Sequence, residues 1–143
     1  MAVAQLKPAA GVMLVESDSL VRTLPGMLDG LSEDDRDRVL AISKPEILEI
    51  GMHVWRQGDI QSGIYMIESG RIRSYYAAPS GREGTLAYWA PGNFVGGPDL
   101  FGSGPHVWSS VAVERSALRF LPGPALRKVA LSSAPIAVAL GAA

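Results

Sequence analysis

Short apolar runs separated by turn-forming residues fill the middle of the chain. Glycine or Pro-Gly pairs recur every 5 to 12 residues between Gly51 and Pro105. This spacing is typical of an all-β barrel or sandwich. The pattern predicts strands over residues 46–50, 52–56, 64–67, 71–76, 84–90, 108–113 and 117–121. In the fourth of these, period-two alternation places Ile72, Ser74 and Tyr76 on one face.

The two ends of the chain have a different pattern. Ser32 is followed by three acidic residues, the signature of a helix N-terminus, and the apolar positions after it indicate a short amphipathic helix that ends near Lys44-Pro45. A second helix is predicted from Ala125, with apolar residues that continue beyond Pro135. Residues 1–18 show no clear period and are predicted to form a flexible arm.

Composition limits the class of protein. The chain has 143 residues, which is about one domain, and 48% of them are hydrophobic, which excludes disorder. A formal net charge of -1 argues against an obligate nucleic-acid binder. There is no cysteine, so disulfides, thiolate metal sites and iron–sulfur clusters are excluded. Neither a signal peptide nor a membrane helix is expected, and the sequence predicts a cytoplasmic protein.

Catalytic motifs are not evident. The only histidines are His53 and His106, and they do not form the His-x-His pair that a cupin metalloenzyme requires. A Gly-x-Ser-x-Gly nucleophile elbow is also missing from the sequence. The sequence therefore predicts a protein that is not an enzyme and has no metal or cofactor, and a cupin-like enzyme is the less favoured alternative.

The order and spacing of the turn residues resemble the cyclic-nucleotide-binding-domain superfamily, most closely the sensor half of Crp/Fnr-type transcription regulators. The matching segments are Leu31-Ser32-Glu33-Asp34-Asp35-Arg36, Arg56-Gln57-Gly58-Asp59, Gly63-Ile64-Tyr65, Ser69-Gly70, Gly81-Arg82-Glu83, Pro91-Gly92-Asn93-Phe94-Val95-Gly96, Leu100-Phe101 and Ser110-Val111-Ala112. The resemblance implies a helix, an eight-stranded jelly-roll barrel (a double-stranded β-helix) over residues 19–143 with flanking helices at both ends, and an effector bound inside the barrel.

In that family a phosphate-binding cassette holds the nucleotide, and here it departs from the pattern. The Phe94-Val95-Gly96 turn is present, but the glutamate position is Gly97, followed by Pro98. The arginine position, aligned from both sides, is Val107. No Lys or Arg lies between Arg82 and Arg115, so shifting the alignment of this loop by one residue would not place a cation at the arginine position. A buried cyclic phosphate would then be unpaired, and we expect no binding of cyclic AMP or cyclic GMP.

A small aromatic or apolar effector is the favoured ligand. By resemblance, Leu86 and Trp89 lie where the family packs the nucleotide base, and Val107 and Trp108 lie where it holds the phosphate. The predicted effector-binding residues are Leu86, Trp89, Gly96, Gly97, Pro98, Asp99, Leu100, Val107, Trp108 and Ser109.

Alternatives to this effector site remain open. The tryptophans are equally consistent with core packing, and a degenerate cassette is also expected in a ligand-free scaffold or dimerisation module. His106 is expected to be exposed in its loop, and His53 to lie on a strand surface.

The resemblance also implies partners. Family members dimerise through a long helix after the barrel and bind DNA through a helix-turn-helix domain beyond it. Here we expect a homodimer through the C-terminal helix, whose start falls within the chain. DNA binding is expected only through a domain that this chain lacks, as in an excised or naturally truncated sensor domain.

Overall fold

Strands dominate the fold, and helices lie at both ends. The computed structural model describes residues 28–96 and 104–140. The predicted arm over residues 1–18 lies outside these ranges. The elements, in chain order, are α1 (Glu33–Ile42), β1 (Lys44–Leu48), β2 (His53–Trp55), β3 (Gly63–Ser69), β4 (Ile72–Ala77), β5 (Glu83–Trp89), β6 (Phe94–Val95), β7 (Ser109–Ala112), β8 (Ser116–Pro122), α2 (Gly123–Ser132) and α3 (Ala134–Ala139).

The eight strands form two antiparallel sheets of four strands each. The first sheet has the order β1-β8-β3-β6 and the second the order β2-β7-β4-β5. Neighbours distant in sequence therefore lie side by side, as in a jelly roll. The predicted fold class, mainly β with flanking helices, is confirmed. The short strand β6, which pairs with β3, was not predicted, because two residues carry too little periodicity to be recognised.

The first sheet is covered on both faces. In β3, Ile64 and Ile67 lie on opposite faces of the strand, and both side chains are almost completely buried. The inner face packs against the second sheet, and the outer face is covered by α1 and α2, whose Val39 and Leu126 are buried. A strand buried on both faces has a continuous apolar sequence, which explains why this segment shows no alternation.

The second sheet is covered on one face only. Ile72 and Ser74 of β4 are buried on its inner face, as the alternation predicts, whereas Tyr76 near the end of the strand is half exposed. On the outer face the guanidinium of Arg73 lies over the ring of Tyr75, 4.6 Å from its centroid. The outer face is therefore stabilised by contacts between polar and aromatic side chains at the surface.

Helix α1 begins where the sequence predicts. The Asp35 backbone N–H donates to the Ser32 Oγ at 3.1 Å, which caps the helix. The structure differs at the other end: Lys44 and Pro45, expected to end the helix, belong to β1. Strand β1 lies at the edge of its sheet, where the missing N–H of a proline is tolerated.

The C-terminal helical segment is divided in two. Ser133 between α2 and α3 has an extended backbone, and its Oγ accepts from the Ile136 N–H to cap α3. The expected continuation past Pro135 is thus a separate helix, because a proline cannot donate the backbone hydrogen bond that a continuous helix needs there. The α3 side chain of Ile136 is buried in the core. Within the described ranges, no helix is long and apolar enough to cross a membrane.

Candidate functional site

A chain of three buried polar groups runs across the inner face of the second sheet. The Trp89 indole N–H donates to the Ser74 Oγ at 3.0 Å, and the hydroxyls of Ser74 and Ser110 are 2.8 Å apart. Ser74 and Ser110 are directly opposite each other in the pairing of β4 with β7. All three side chains are at least 98% buried. The strand register therefore places two serine hydroxyls inside an otherwise apolar barrel.

Ser109, a predicted effector residue, occupies the opposite face of β7 from Ser110. Its Oγ accepts from the Gln57 backbone N–H at 2.8 Å. The Gln57 side chain in turn bonds to both the N–H and the carbonyl of Ala77. The Ser109 hydroxyl thus fastens β7 to the loop after β2. Ser110, which the sequence did not single out, is the serine that enters the barrel.

Trp108 and His106 both contact Trp55, and Trp108 belongs to the hydrophobic core. The Trp55 indole N–H donates to the Trp108 carbonyl at 2.7 Å, and the His106 ring is stacked on Trp55 with centroids 4.1 Å apart. The expected exposure of His106 is wrong: the residue is 5% exposed, because the stack with Trp55 covers its ring. The Tyr65 ring also contacts Trp55, with centroids 6.0 Å apart, and burial, followed by the charge of Glu46, raises the pKa of Tyr65 to about 12. Tyr65 therefore stays neutral.

Backbone hydrogen bonds hold the segment around His106 against the loop between β2 and β3. The His106 N–H donates to the Asp59 carbonyl at 2.7 Å, and the Gly58 N–H donates to the His106 carbonyl at 2.8 Å. The Gln61 N–H donates to Gly104 in the same interface. The residues that precede β7 are therefore fixed by neighbouring backbone and by the Trp55 ring.

The other predicted site residues have different surroundings. Leu86 is buried at an irregularity in the pairing of β4 with β5. A Cβ added to Gly96 would lie 2.4 Å from the Ile64 Cγ2, so the backbone passes too close to the first sheet for any side chain. Val107 is 47% exposed, in contrast to the buried Trp108 beside it. The remaining four predicted residues, Gly97, Pro98, Asp99 and Leu100, lie outside the described residues.

Charge is confined to the surface. Over residues 28–96 and 104–140, no Asp, Glu, Lys or Arg side chain is buried. Arg73, on the outer face, pairs with Glu83 at 3.2 Å, and Arg115 pairs with Glu49 at 3.1 Å in full exposure to solvent. The same residues contain no cluster of side chains that could hold a metal ion. The described interior thus holds no Asp, Glu, Lys or Arg, and its buried polar side chains are serine hydroxyls, tryptophan indoles, Gln61, Asn93 and His106.

His53 lies on the outer face of the second sheet. Its Nε2 is 2.6 Å from the Tyr75 hydroxyl, and its Nδ1 is buried without a hydrogen-bond partner. Burial, followed by the positive charge of Arg56, lowers the pKa of His53 below its usual 6.5. Because His53 is on the outer face, the second sheet separates it from the barrel interior.

The serines that line the interior were missed by the sequence search, although a signal for them was present. Alternation in β4 placed Ser74 with Ile72, and the same rule applied to β7 places Ser110 with Ala112. What the sequence did not contain is the pairing of β4 with β7, which joins segments 36 residues apart.

Comparison with known proteins agrees with this architecture. The family model described as cyclic nucleotide-binding domain matches residues 33–133. The cyclic AMP receptor protein of Thermus thermophilus is 30% identical over 92 residues, which are 64% of this chain and 43% of that protein. The fumarate and nitrate reduction regulatory protein of Escherichia coli is 30% identical over 99 residues, which are 69% of this chain and 38% of that protein.

A solved structure shows the same fold. The sensor domain of the transcriptional regulator DNR from Pseudomonas aeruginosa superposes with a TM-score of 0.68 at 25% identity and covers 80% of this chain and 77% of that chain. Two of these relatives are named as regulatory proteins, and none of the three is named as an enzyme. The alignments span about two fifths of the length of the two curated relatives. The chain belongs to the cyclic nucleotide-binding domain family, in the form found in Crp/Fnr-type regulators.

Proposed function

We propose that this domain is the effector-sensing part of a Crp/Fnr-type transcription regulator and that its effector is a small uncharged aromatic molecule, not a cyclic nucleotide. The observation that carries the proposal is the neutral interior. The inner face presents Trp89, Ser74 and Ser110, and none of the described residues places a charged side chain inside the barrel.

Phosphate recognition normally needs a cation or a set of backbone N–H groups that replaces the lost water. Desolvating an unpaired anion costs several kcal/mol even after the protein relaxes. No Lys or Arg occurs between Arg82 and Arg115, and Arg82 is exposed at a loop. Val107, at the position aligned with the family's arginine, has an uncharged side chain and cannot pair with a phosphate. A cyclic phosphate is therefore a poor ligand for this interior.

An aromatic ligand fits the same surroundings better. Leu86 and Trp89, which the resemblance assigns to the base position, are both buried and belong to the core cluster that includes Trp108. Apolar and aromatic walls with a few polar groups are the usual composition of small-molecule sites. Burial against Trp89 and offset stacking would supply the affinity, and the hydroxyls would orient the ligand.

Thermal unfolding with a small panel of compounds tests the proposal. The panel contains indole, 1-indanone, benzoate and cyclic AMP. We expect the neutral aromatic compounds to raise the Tm, since a ligand at 100 times its Kd stabilises the folded state by about 2.7 kcal/mol. Benzoate and cyclic AMP should leave the Tm unchanged. Binding of cyclic AMP at micromolar concentration in a calorimetric titration would contradict the proposal.

Two variants locate the ligand. Trp108→Ala should remove the ligand-induced shift, but it also leaves a cavity in the core. Leu86→Phe adds volume at the position assigned to the base, so it should block the ligand while the domain stays folded. Ile50→Ala is the control, because Ile50 is largely exposed and lies outside the predicted effector-binding residues. A shift that Leu86→Phe leaves unchanged would exclude Leu86 from the site.

A ligand-free scaffold is the second candidate, and one observation favours it. Leu86, Trp89 and Trp108 all pack into one continuous core, as core residues do without a ligand. This candidate predicts that no compound in the panel changes the Tm. It also predicts association that depends on concentration, measured by analytical ultracentrifugation. In either case we propose that dimerisation uses the C-terminal helices, where Leu131 and Val138 are exposed. DNA binding would require a further domain.

A further inference from the structure

Three donor hydrogens meet at the serine pair inside the barrel, one from the Trp89 indole and one from each hydroxyl, and the two hydrogen bonds between these groups use only two of them. Trp89 Nε1 is a donor only, so the Ser74 Oγ accepts from it at 3.0 Å. One hydroxyl hydrogen is shared between Ser74 and Ser110 at 2.8 Å. The other hydroxyl hydrogen has no acceptor among the residues that the structure describes. A buried donor without an acceptor destabilises the ligand-free state, so this group is a point where a ligand acceptor gains affinity.

The direction of the hydrogen-bond chain identifies the group. A hydroxyl that accepts a hydrogen bond becomes a stronger donor, because the bonds in a chain polarise one another. The geometry of the pair allows either hydroxyl to donate, and polarisation by Trp89 favours Ser74 as the donor to Ser110. The free hydrogen is then on the Ser110 Oγ, at the end of the chain, and Ser110 is fully buried.

We propose that the Ser110 hydroxyl is the specificity-determining donor of the site and that it selects effectors carrying a neutral hydrogen-bond acceptor, such as a ring carbonyl. This inference rests on the proposed function. The acceptor is neutral because the described interior holds no cation that would neutralise a carboxylate or a phosphate. A hydrocarbon of the same shape leaves the Ser110 hydrogen unsatisfied and binds more weakly.

Two bicyclic compounds of nearly identical shape test the proposal. 1-Indanone carries a carbonyl where indane carries a methylene group. Calorimetric titration of the intact chain should give a Kd for 1-indanone about tenfold lower than that for indane, the ratio expected when one buried hydrogen bond is made instead of lost. Ser110→Ala should reduce this ratio to about one, mainly by weakening 1-indanone.

Matched variants separate this role from a structural one. Ser109→Ala removes the adjacent hydroxyl on the other face of β7, where it accepts from the Gln57 N–H, and should keep the tenfold ratio. Ser110→Thr retains the hydroxyl and should retain the preference for 1-indanone. Circular dichroism of each variant verifies that the fold is kept.

The outcomes distinguish the two proposals. Equal affinity for indane and 1-indanone would overturn the role of Ser110 and leave the aromatic effector site standing. A tenfold ratio that survives Ser110→Ala would also overturn it, since another donor would then read the carbonyl. If neither compound binds and no neutral aromatic compound raises the Tm, both proposals fail.

Discussion

The two sheets of the barrel differ in what they bury. The first sheet is covered on both faces, and most of the side chains that it buries, such as Ile64 and Leu118, are apolar. Its buried Ser116 hydroxyl lies at the start of β8 and bonds to backbone groups of Arg71 and Glu114. The second sheet is covered on one face, and that face carries the Trp89–Ser74–Ser110 hydrogen bonds among its apolar neighbours. Apolar side chains packed in this way stabilise the fold without selecting a ligand. The buried polar groups of the second sheet contribute less to stability, but they can recognise a ligand by hydrogen bonding.

Truncation in the first sheet should have the largest effect. Leu118→Ala removes a fully buried side chain that lies opposite Ile67 in the pairing of β8 with β3. We expect the free energy of unfolding to fall by about 2–5 kcal/mol, because the covered sheet cannot collapse into the cavity. Urea denaturation measures this change in the free energy of unfolding. A loss below 1 kcal/mol would show that this sheet is less tightly packed than its burial indicates.

Gly96→Ala tests the contact between the Phe94-Val95-Gly96 turn and strand β3 of the first sheet. The new Cβ would lie 2.4 Å from the Ile64 Cγ2 and 3.2 Å from the Ile64 Cα, so the strand itself must move. A loss of about 1–3 kcal/mol is expected from overpacking, measured by urea denaturation. Gly81→Ser serves as the comparison for a glycine with open space around it, although its positive φ makes any side chain somewhat unfavourable. A neutral Gly96→Ala would mean that the turn is not held against β3.

Within the second sheet, the two serines should not be equivalent. Ser74→Ala deprives both the Trp89 N–H and the Ser110 hydroxyl of their partner, and we expect a loss of about 1–3 kcal/mol. Ser110→Ala removes the hydroxyl whose hydrogen is already unsatisfied, so the loss should be smaller. Chemical denaturation of both variants without ligand gives the order. The opposite order would reverse the direction of the hydrogen-bond chain.

The smallest effect concerns the outer face and depends on pH. The pKa of His53 is lowered in the folded state, mainly by burial, so the unfolded chain binds the proton more readily. The stabilising contribution of neutral His53 is therefore complete above pH 6.5 and is lost as the pH falls through 6.5 towards the lower folded pKa. His53→Gln should flatten the stability profile below about pH 6.5. A profile unchanged by this variant would assign the acid sensitivity to other groups.

Local signals in the sequence predicted much of the fold. The Ser32 cap, the Gly70 turn and the alternation of Ile72 with Ser74 each reflect interactions within a few residues, and the structure contains them all. The candidate site was less predictable. The resemblance assigns Ser109 to the site, and only the pairing of β4 with β7 shows that Ser110 is the serine on the inner face. His106 was expected to be exposed because its partner, Trp55, is 51 residues away in the sequence.

By itself, the sequence determined the β-rich architecture, the positions of most turns and the absence of Lys and Arg between Arg82 and Arg115. These properties follow from residue type and short-range spacing, because local backbone conformation depends mainly on neighbouring residues. The tertiary structure decided which serine enters the barrel, which ring covers His106 and where the C-terminal helix divides. Each of these depends on pairing between distant strands or on packing against the core, since a period-two pattern gives the two faces of a strand but not which of them is buried.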